Sequence, residues 1–155
     1  MDNVILTCDV KADWVDYNGH MNDAEYARVF SLAVEQLMNK LGIDESFRNT
    51  YDYSIFTLET HICYLAEAHE RETLQTTVQL LDHDEKRIHV FFTMHNKDAK
   101  EIATSEQMLM GMDLKEERPA SFPTSIKQQI QKIAHEQKDL PYPEKAGSQI
   151  GIRRK

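Results

Sequence analysis

Cysteine is scarce. The 155 residues hold two, Cys8 and Cys63, which form no CxxC pair and no disulfide framework, so a reduced, cytoplasmic setting is the expectation. Long apolar runs are missing as well. The opening MDNVILTCDV has an early acid and too short an apolar run for a signal peptide, and nothing approaches the roughly 20 residues of a membrane span. Nor is there a basic excess: 18 lysines and arginines face 26 aspartates and glutamates, a net charge of -8. Nucleic-acid affinity comes from neutralising phosphates, so no nucleic-acid partner is expected. The seven histidines include no HExxH and no compact Cys/His cluster, and a turn separates His83 from the evenly spaced His89 and His95, so no metal is expected. A Gly-rich dinucleotide-binding unit, internal repeats and low-complexity segments are also absent.

What remains is one domain's worth of chain, large enough to bury a core without staples. It is organised around the run WVDYNGHMNDAEYARVFSLAVEQLMNKLGI, which starts at Trp14. Asp16, Asn18 and His20 bring a carboxylate, an amide and an imidazole together beside the hinge Gly19. Asn22 and Glu25 have the spacing of a capping box. Tyr26, Phe30, Ala33, Leu37 and Leu41, flanked by Val29, Val34 and Met38, then recur at helical spacing, and Gly42 suits the stop. The pattern predicts a helix over 22–41, about 30 Å long. Its first backbone N–H groups have no partner inside the helix and carry partial positive charge. With a carboxylate just upstream, the stretch offers a base or nucleophile together with donors for a developing oxyanion. The same residues would also make plain Asx turns, with His20 as a surface group.

Around this helix the alternation of apolar residues predicts a strand over 3–11, a connection with room for a helical turn over 42–54, and then strands over 55–65, 72–81, 86–96 and 101–114. Phe56, Leu58, Ile62 and Tyr64 are expected inward on the first of these four, Leu74, Thr76, Val78 and Leu80 on the second, and Ile88, Val90, Phe92 and Met94 on the third. The last carries Ile102, Met108, Met110 and Met112. Glu59, His61, Gln79 and His89 fall on the opposite sheet face, as at a subunit contact or a ligand-bearing surface. Pro119 and Pro123 bracket a break, a helix capped by Thr124 follows over 124–138, and the tail from 139 reads as loose. The plan is α+β: a meander of four antiparallel strands, strongly curved, with the long helix laid across it.

These residues carry a resemblance. Asp-x-x-Gly-His-x-Asn ahead of a long helix and a meander is similar to the hotdog-fold acyl-CoA thioesterases of the 4-hydroxybenzoyl-CoA thioesterase type. WVDYNGHMNDAEYARVF, TLETHICYL, DEKRIHVF, SEQMLMGMD and PEKAGSQIG further resemble the betainyl-CoA thioesterases of carnitine degradation, elsewhere fused to L-carnitine dehydrogenase. The resemblance implies a hotdog domain over 1–118, with a C-terminal helix and tail, 119–155, packed on the same domain. It implies hydrolysis of a short-chain acyl-CoA, betainyl-CoA to glycine betaine and CoA, with Asp16 as nucleophile or as the base that activates water. The N–H near Asp23 would polarise the carbonyl, and Asn18 and His20 match the Asp-x-Asn-x-His variant of plant acyl carrier protein thioesterases. That variant's Glu-Cys pair on the next strand is not reproduced, since the segment reads ETHICYL, so Glu59 and His61 are lesser candidates.

A quaternary ammonium is held by aromatic faces and nearby carboxylates, and Trp14, Tyr17, Tyr26, Tyr51, Tyr53 and Phe56 are the candidate cage. Lys86, Arg87, Arg153 and Arg154 are candidates for the CoA phosphates. No cofactor is expected, CoA being part of the substrate. The resemblance also implies a homodimer or dimer of dimers, sheets joined edge to edge with the site at the boundary. A hotdog enoyl-CoA hydratase or dehydratase and a non-catalytic acyl-CoA binding domain are the alternatives.

Overall fold

The long helix, α1, spans Asp23–Leu41 in a computed structural model that describes residues 1–154. Its stripe of Tyr26, Val29, Phe30, Ala33, Val34, Leu37 and Leu41 is buried. Gly42, at φ 96°, adopts the left-handed conformation that closes the helix. Asn22 is the N-cap, but the expected capping box does not close: its side chain makes no cap bond, and the Glu25 carboxylate instead accepts from Arg28 one turn on.

The stripe is covered by one antiparallel sheet in the order β1-β3-β4-β5-β2. The strands are β1 Val4–Asp9, β2 Tyr53–Tyr64, β3 Thr73–His83, β4 Arg87–His95 and β5 Glu101–Asp113, and a two-residue β6, Arg118–Pro119, pairs with β5. A short helix, α2, occupies Glu45–Tyr51. The α+β hotdog plan is therefore observed, with a correction to its connectivity. Only β3, β4 and β5 form a meander; β2 pairs with β5, not with β3, and has one neighbour. The connector 65–72 must therefore carry the chain from one side of the sheet to the other, and it does so beside the start of α1. There the Met21 N–H donates to the Ala68 carbonyl at 2.8 Å, and the Tyr26 hydroxyl donates to the Ala66 carbonyl and accepts from the Ala68 N–H.

Leu74, Val78, Ile88, Val90, Phe92, Met94 and Leu109 face α1 in the main core. On β2 a bulge at Leu58 shifts the register between Thr57 and Glu59. A bulge inserts one residue and so reverses which side chains point inward. Tyr53 and Ile55 are thus buried, whereas Phe56 and Leu58, expected inward, are 47% and 53% exposed. Met108, Met110 and Met112 of β5 are only partly buried, and Gly111, Leu109 and Gln107 between and before them are buried.

The second long helix, α3, spans Thr124–Glu136 with Pro123, not Thr124, as N-cap. Its Ile126, Ile130 and Ile133 join the main core. Just past it, Gln137 seals β3 where β1 no longer covers it: the side-chain amide donates to the Val78 carbonyl at 3.1 Å and accepts from the Leu80 N–H at 2.8 Å. The tail then crosses to the outer sheet face. Gln79 donates to the Pro141 carbonyl at 3.1 Å, and the Gly147 N–H donates to Glu106 at 2.7 Å. Phe91, between Gln79 and Glu106 in register, is 4% exposed yet outside the main core cluster. No helix among the described residues is long and apolar enough to cross a membrane.

Candidate active site

The elbow before α1 is a miniature hairpin. Val15 bridges Met21, the Asp16 N–H donates to the His20 carbonyl at 2.9 Å, and the Gly19 N–H donates to the Asp16 carbonyl at 2.9 Å. Gly19 takes φ 78°, which an ordinary side chain would resist. The Asp16 carboxylate closes the turn with one oxygen, Oδ1, accepting from Asn18 N–H at 2.8 Å and His20 N–H at 3.2 Å. The Asx turn and a chemical role are therefore compatible, because no side-chain bond holds Oδ2 among the described residues.

Asp16 lines an open cavity of about 500 Å³ together with His20, Asn22, Asp23, Tyr26 and Tyr64. Met21, Leu65, Ala66 and Glu67 complete the wall. The first turn of α1 enters this cavity. The Asp23 carboxylate accepts from the Ala24 N–H at 2.9 Å and the Glu25 N–H turns back to the Asn22 carbonyl, while the Asp23 N–H meets no acceptor among the described residues. An unpaired N–H at a helix start is a suitable donor for an oxyanion.

His20 is held by the connector. Its Nδ1 pairs with the Glu67 carboxylate, and its ring meets His69 edge-on at 4.9 Å. A carboxylate on one ring nitrogen fixes the imidazole's orientation and leaves the other nitrogen for the cavity. Tyr26 and Tyr64 pack edge to face, 5.2 Å between centroids, and the Tyr64 hydroxyl donates to the Asp23 carbonyl at 3.2 Å. Burial raises the Tyr26 hydroxyl's pKa above its usual value, with its bond to Ala68 opposing and the charges of Glu67 and Glu72 adding to the rise. The Tyr64 hydroxyl is raised for the same leading reason.

The structure thus brings Asp16, His20, Asp23 and Tyr26 to one cavity and sets other candidates apart. Asn18 is exposed on the turn and contributes its backbone N–H to Asp16. Trp14 is a core residue, 5% exposed, with the Lys11 ammonium 5.3 Å above its ring. Tyr17 is 96% exposed at the turn tip. Tyr53 is buried at the start of β2, where it pairs with Asp113, and its hydroxyl donates to the Ala120 carbonyl at 3.1 Å. In one chain no cage of Trp14, Tyr17 and Tyr53 forms. Glu59 and His61 line a separate outer-face cavity of about 280 Å³ with His89, Glu106 and tail residues. There is no cluster of three or more metal-ligating side chains among the described residues.

Lys86 and Arg87 stand at the start of β4, and the Arg87 guanidinium is engaged by Asp84, whose carboxyl it holds down at about 2. Alternation and spacing pointed to none of Tyr64, Ala66 and Glu67 as cavity residues, because Tyr64 ends β2 and Ala66 and Glu67 follow on the crossing connector. A signal was available in ETHICYLAEAHE, whose Tyr64, Glu67 and His69 form a polar-aromatic group across the end of a strand and an otherwise plain connection.

The profile of the thioesterase-like superfamily matches residues 10–130. The betainyl-CoA thioesterase of Pseudomonas aeruginosa is 37% identical over 98% of both chains. The L-carnitine dehydrogenase/betainyl-CoA thioesterase of Rhizobium meliloti is 38% identical over 94% of this chain, which spans 29% of that longer protein. A hypothetical protein of Staphylococcus aureus, solved in complex with CoA, superposes with a TM-score of 0.91 at 33% identity, covering 96% of this chain and 94% of that one.

Proposed function

The chain belongs to the thioesterase-like superfamily, and from that premise we propose that it hydrolyses an acyl-CoA thioester, betainyl-CoA being the substrate that its relatives favour. The observation that carries the reading is the meeting of the Asp16 carboxylate with the unpaired N–H that opens α1, in one cavity. Water adds to the acyl carbon, the carbon–sulfur bond breaks, and a carboxylic acid and the CoA thiol leave. Asp16 either attacks the acyl carbon itself or takes the proton of the attacking water, while the Asp23 N–H receives the charge that develops on the carbonyl oxygen. His20, oriented by Glu67, is placed to hand a proton to the departing sulfur. The reaction needs no cofactor beyond the CoA of its substrate. Free Cys8 and Cys63 suit a reduced, cytoplasmic setting.

The cavity suits a betainyl group in having the aromatic rings of Tyr26 and Tyr64 and the carboxylates of Asp23 and Glu67, and no lysine or arginine in its lining. One wall is open. The free edge of β2, twelve residues long with Tyr64 at its end, supports a homodimer in which antiparallel pairing of two β2 strands places the partner's β2 start beside this cavity. In that arrangement Lys86 and Arg87 of the partner, not of the same chain, approach the CoA.

Thiol release from betainyl, short, branched and aromatic CoA esters tests the proposal. Release that is fastest with betainyl-CoA and lost in Asp16→Asn is expected. Unchanged release in that variant would overturn the site, and hydration of crotonyl-CoA without thiol release would overturn the reaction class.

A further inference from the structure

The tail has a direction that the reaction does not use. It meets Gln79 on β3 at Pro141 and Glu106 on β5 at Gly147, and Gln149 borders the same outer-face cavity as Glu59 and His61 of β2. Each step moves one way across the sheet, toward the free edge of β2. Strands lie about 5 Å apart and an extended chain advances about 3.4 Å per residue, so residues 150–154 can reach roughly 12 Å beyond that edge. They carry side chains that the chain itself leaves uncovered: Ile150 is 93% exposed and Ile152 79%. Arg153 and Arg154 have no acidic partner among the described residues, and Glu59 has no basic one. The segment is anchored behind the overhang, because Glu106 is fixed on its other oxygen by His89 at 2.6 Å.

We propose that residues 150–154 form an exchanged strap: in the dimer each tail crosses the paired β2 edges, seats Ile150 and Ile152 on the outer sheet face of the second copy, and brings Arg153 and Arg154 to the partner's Glu59. The occupant is a second copy because the strap arrives at the only long unpaired sheet edge among the described strands and its cations meet acids of the kind this face presents. The inference rests on the edge-to-edge dimer proposed above. It adds a second contact, on the face away from the active cavity, that locks the pairing.

The test uses the full chain with Cys63→Ser, to leave β2 free of native thiol, and with Glu59→Cys and Ile152→Cys together. Under mild oxidation the expected product is a covalent dimer, well above the level formed by the Glu59→Cys control. In the otherwise unchanged protein, Arg153→Glu with Arg154→Glu is expected to raise the dimer dissociation constant about tenfold or more. An internal disulfide at single-chain mass, no cross-link, or an unchanged dissociation constant would overturn the strap while leaving the edge dimer standing. A monomeric unchanged protein would overturn both, and the thiol-release assay reads the reaction separately in either case.

Discussion

Asp16 does two things at once. One oxygen ties the turn to the N–H groups of Asn18 and His20, which fixes the direction in which the other can point. Asn at this position keeps the turn, since its amide oxygen accepts the same bonds, and removes only the basic, nucleophilic charge. Asp16→Asn is therefore expected to lower kcat by about 10²–10⁴ with KM and thermal midpoint nearly unchanged. Steady-state kinetics beside a melting curve checks it, and a comparable loss of stability would assign Asp16 to the turn alone. Glu67 pairs with His20, and in the proposed reaction it acts through that ring, so Glu67→Gln should reduce kcat roughly tenfold with KM preserved, and Glu67→Asp should restore part of the loss. Of this site, Asp16, His20 and Asp23 were legible because they sit in one run beside a helix start. Glu67 and Tyr64 were not, because nothing local says that the end of β2 and the connector after it pass the start of α1.

Elements show the same division. Regular periodicity located α1, α3 and the meander, and it placed Ile88, Val90, Phe92 and Met94 correctly. It failed at Leu58, where one inserted residue reversed the faces, and in the tail, whose hold on Gln79 and Glu106 is purely tertiary. Gln137 is the junction of tail and sheet. Gln137→Ala would leave the Val78 carbonyl and Leu80 N–H without partners, and the expected cost is about 1–3 kcal/mol, read from denaturant midpoints. At the start of β2, Gly111 leaves the space that the Tyr53 hydroxyl fills on its way to Ala120. Burial raises the pKa of Tyr53, as it does that of Tyr26, above the usual 10.0. The fold therefore favours the neutral phenols. Their stabilisation is complete below about pH 10 and is lost as pH rises toward the folded-state values. Urea midpoints should accordingly fall with rising pH from about 10 upward, and Tyr53→Phe should flatten that slope.

At the scale of the whole molecule the question is why a chain with a sound core leaves β2 open. Long bare edges invite indiscriminate pairing, and this one ends beside Tyr64, Leu65 and the open candidate cavity. Phe56 and Leu58, turned outward by the bulge, lie toward the strand's start, so antiparallel pairing would bring them near the partner's cavity end. A charge on each makes that approach costly and leaves the main core untouched. Phe56→Glu with Leu58→Glu is therefore expected to yield a monomer by light scattering, with native circular dichroism, and thiol release down by at least about tenfold although Asp16 is intact. If the variant becomes monomeric and keeps full turnover, the cavity is complete in a single chain and the edge serves assembly alone. If it stays dimeric, the copies meet through another surface, and the partner's β2 has no part in holding substrate.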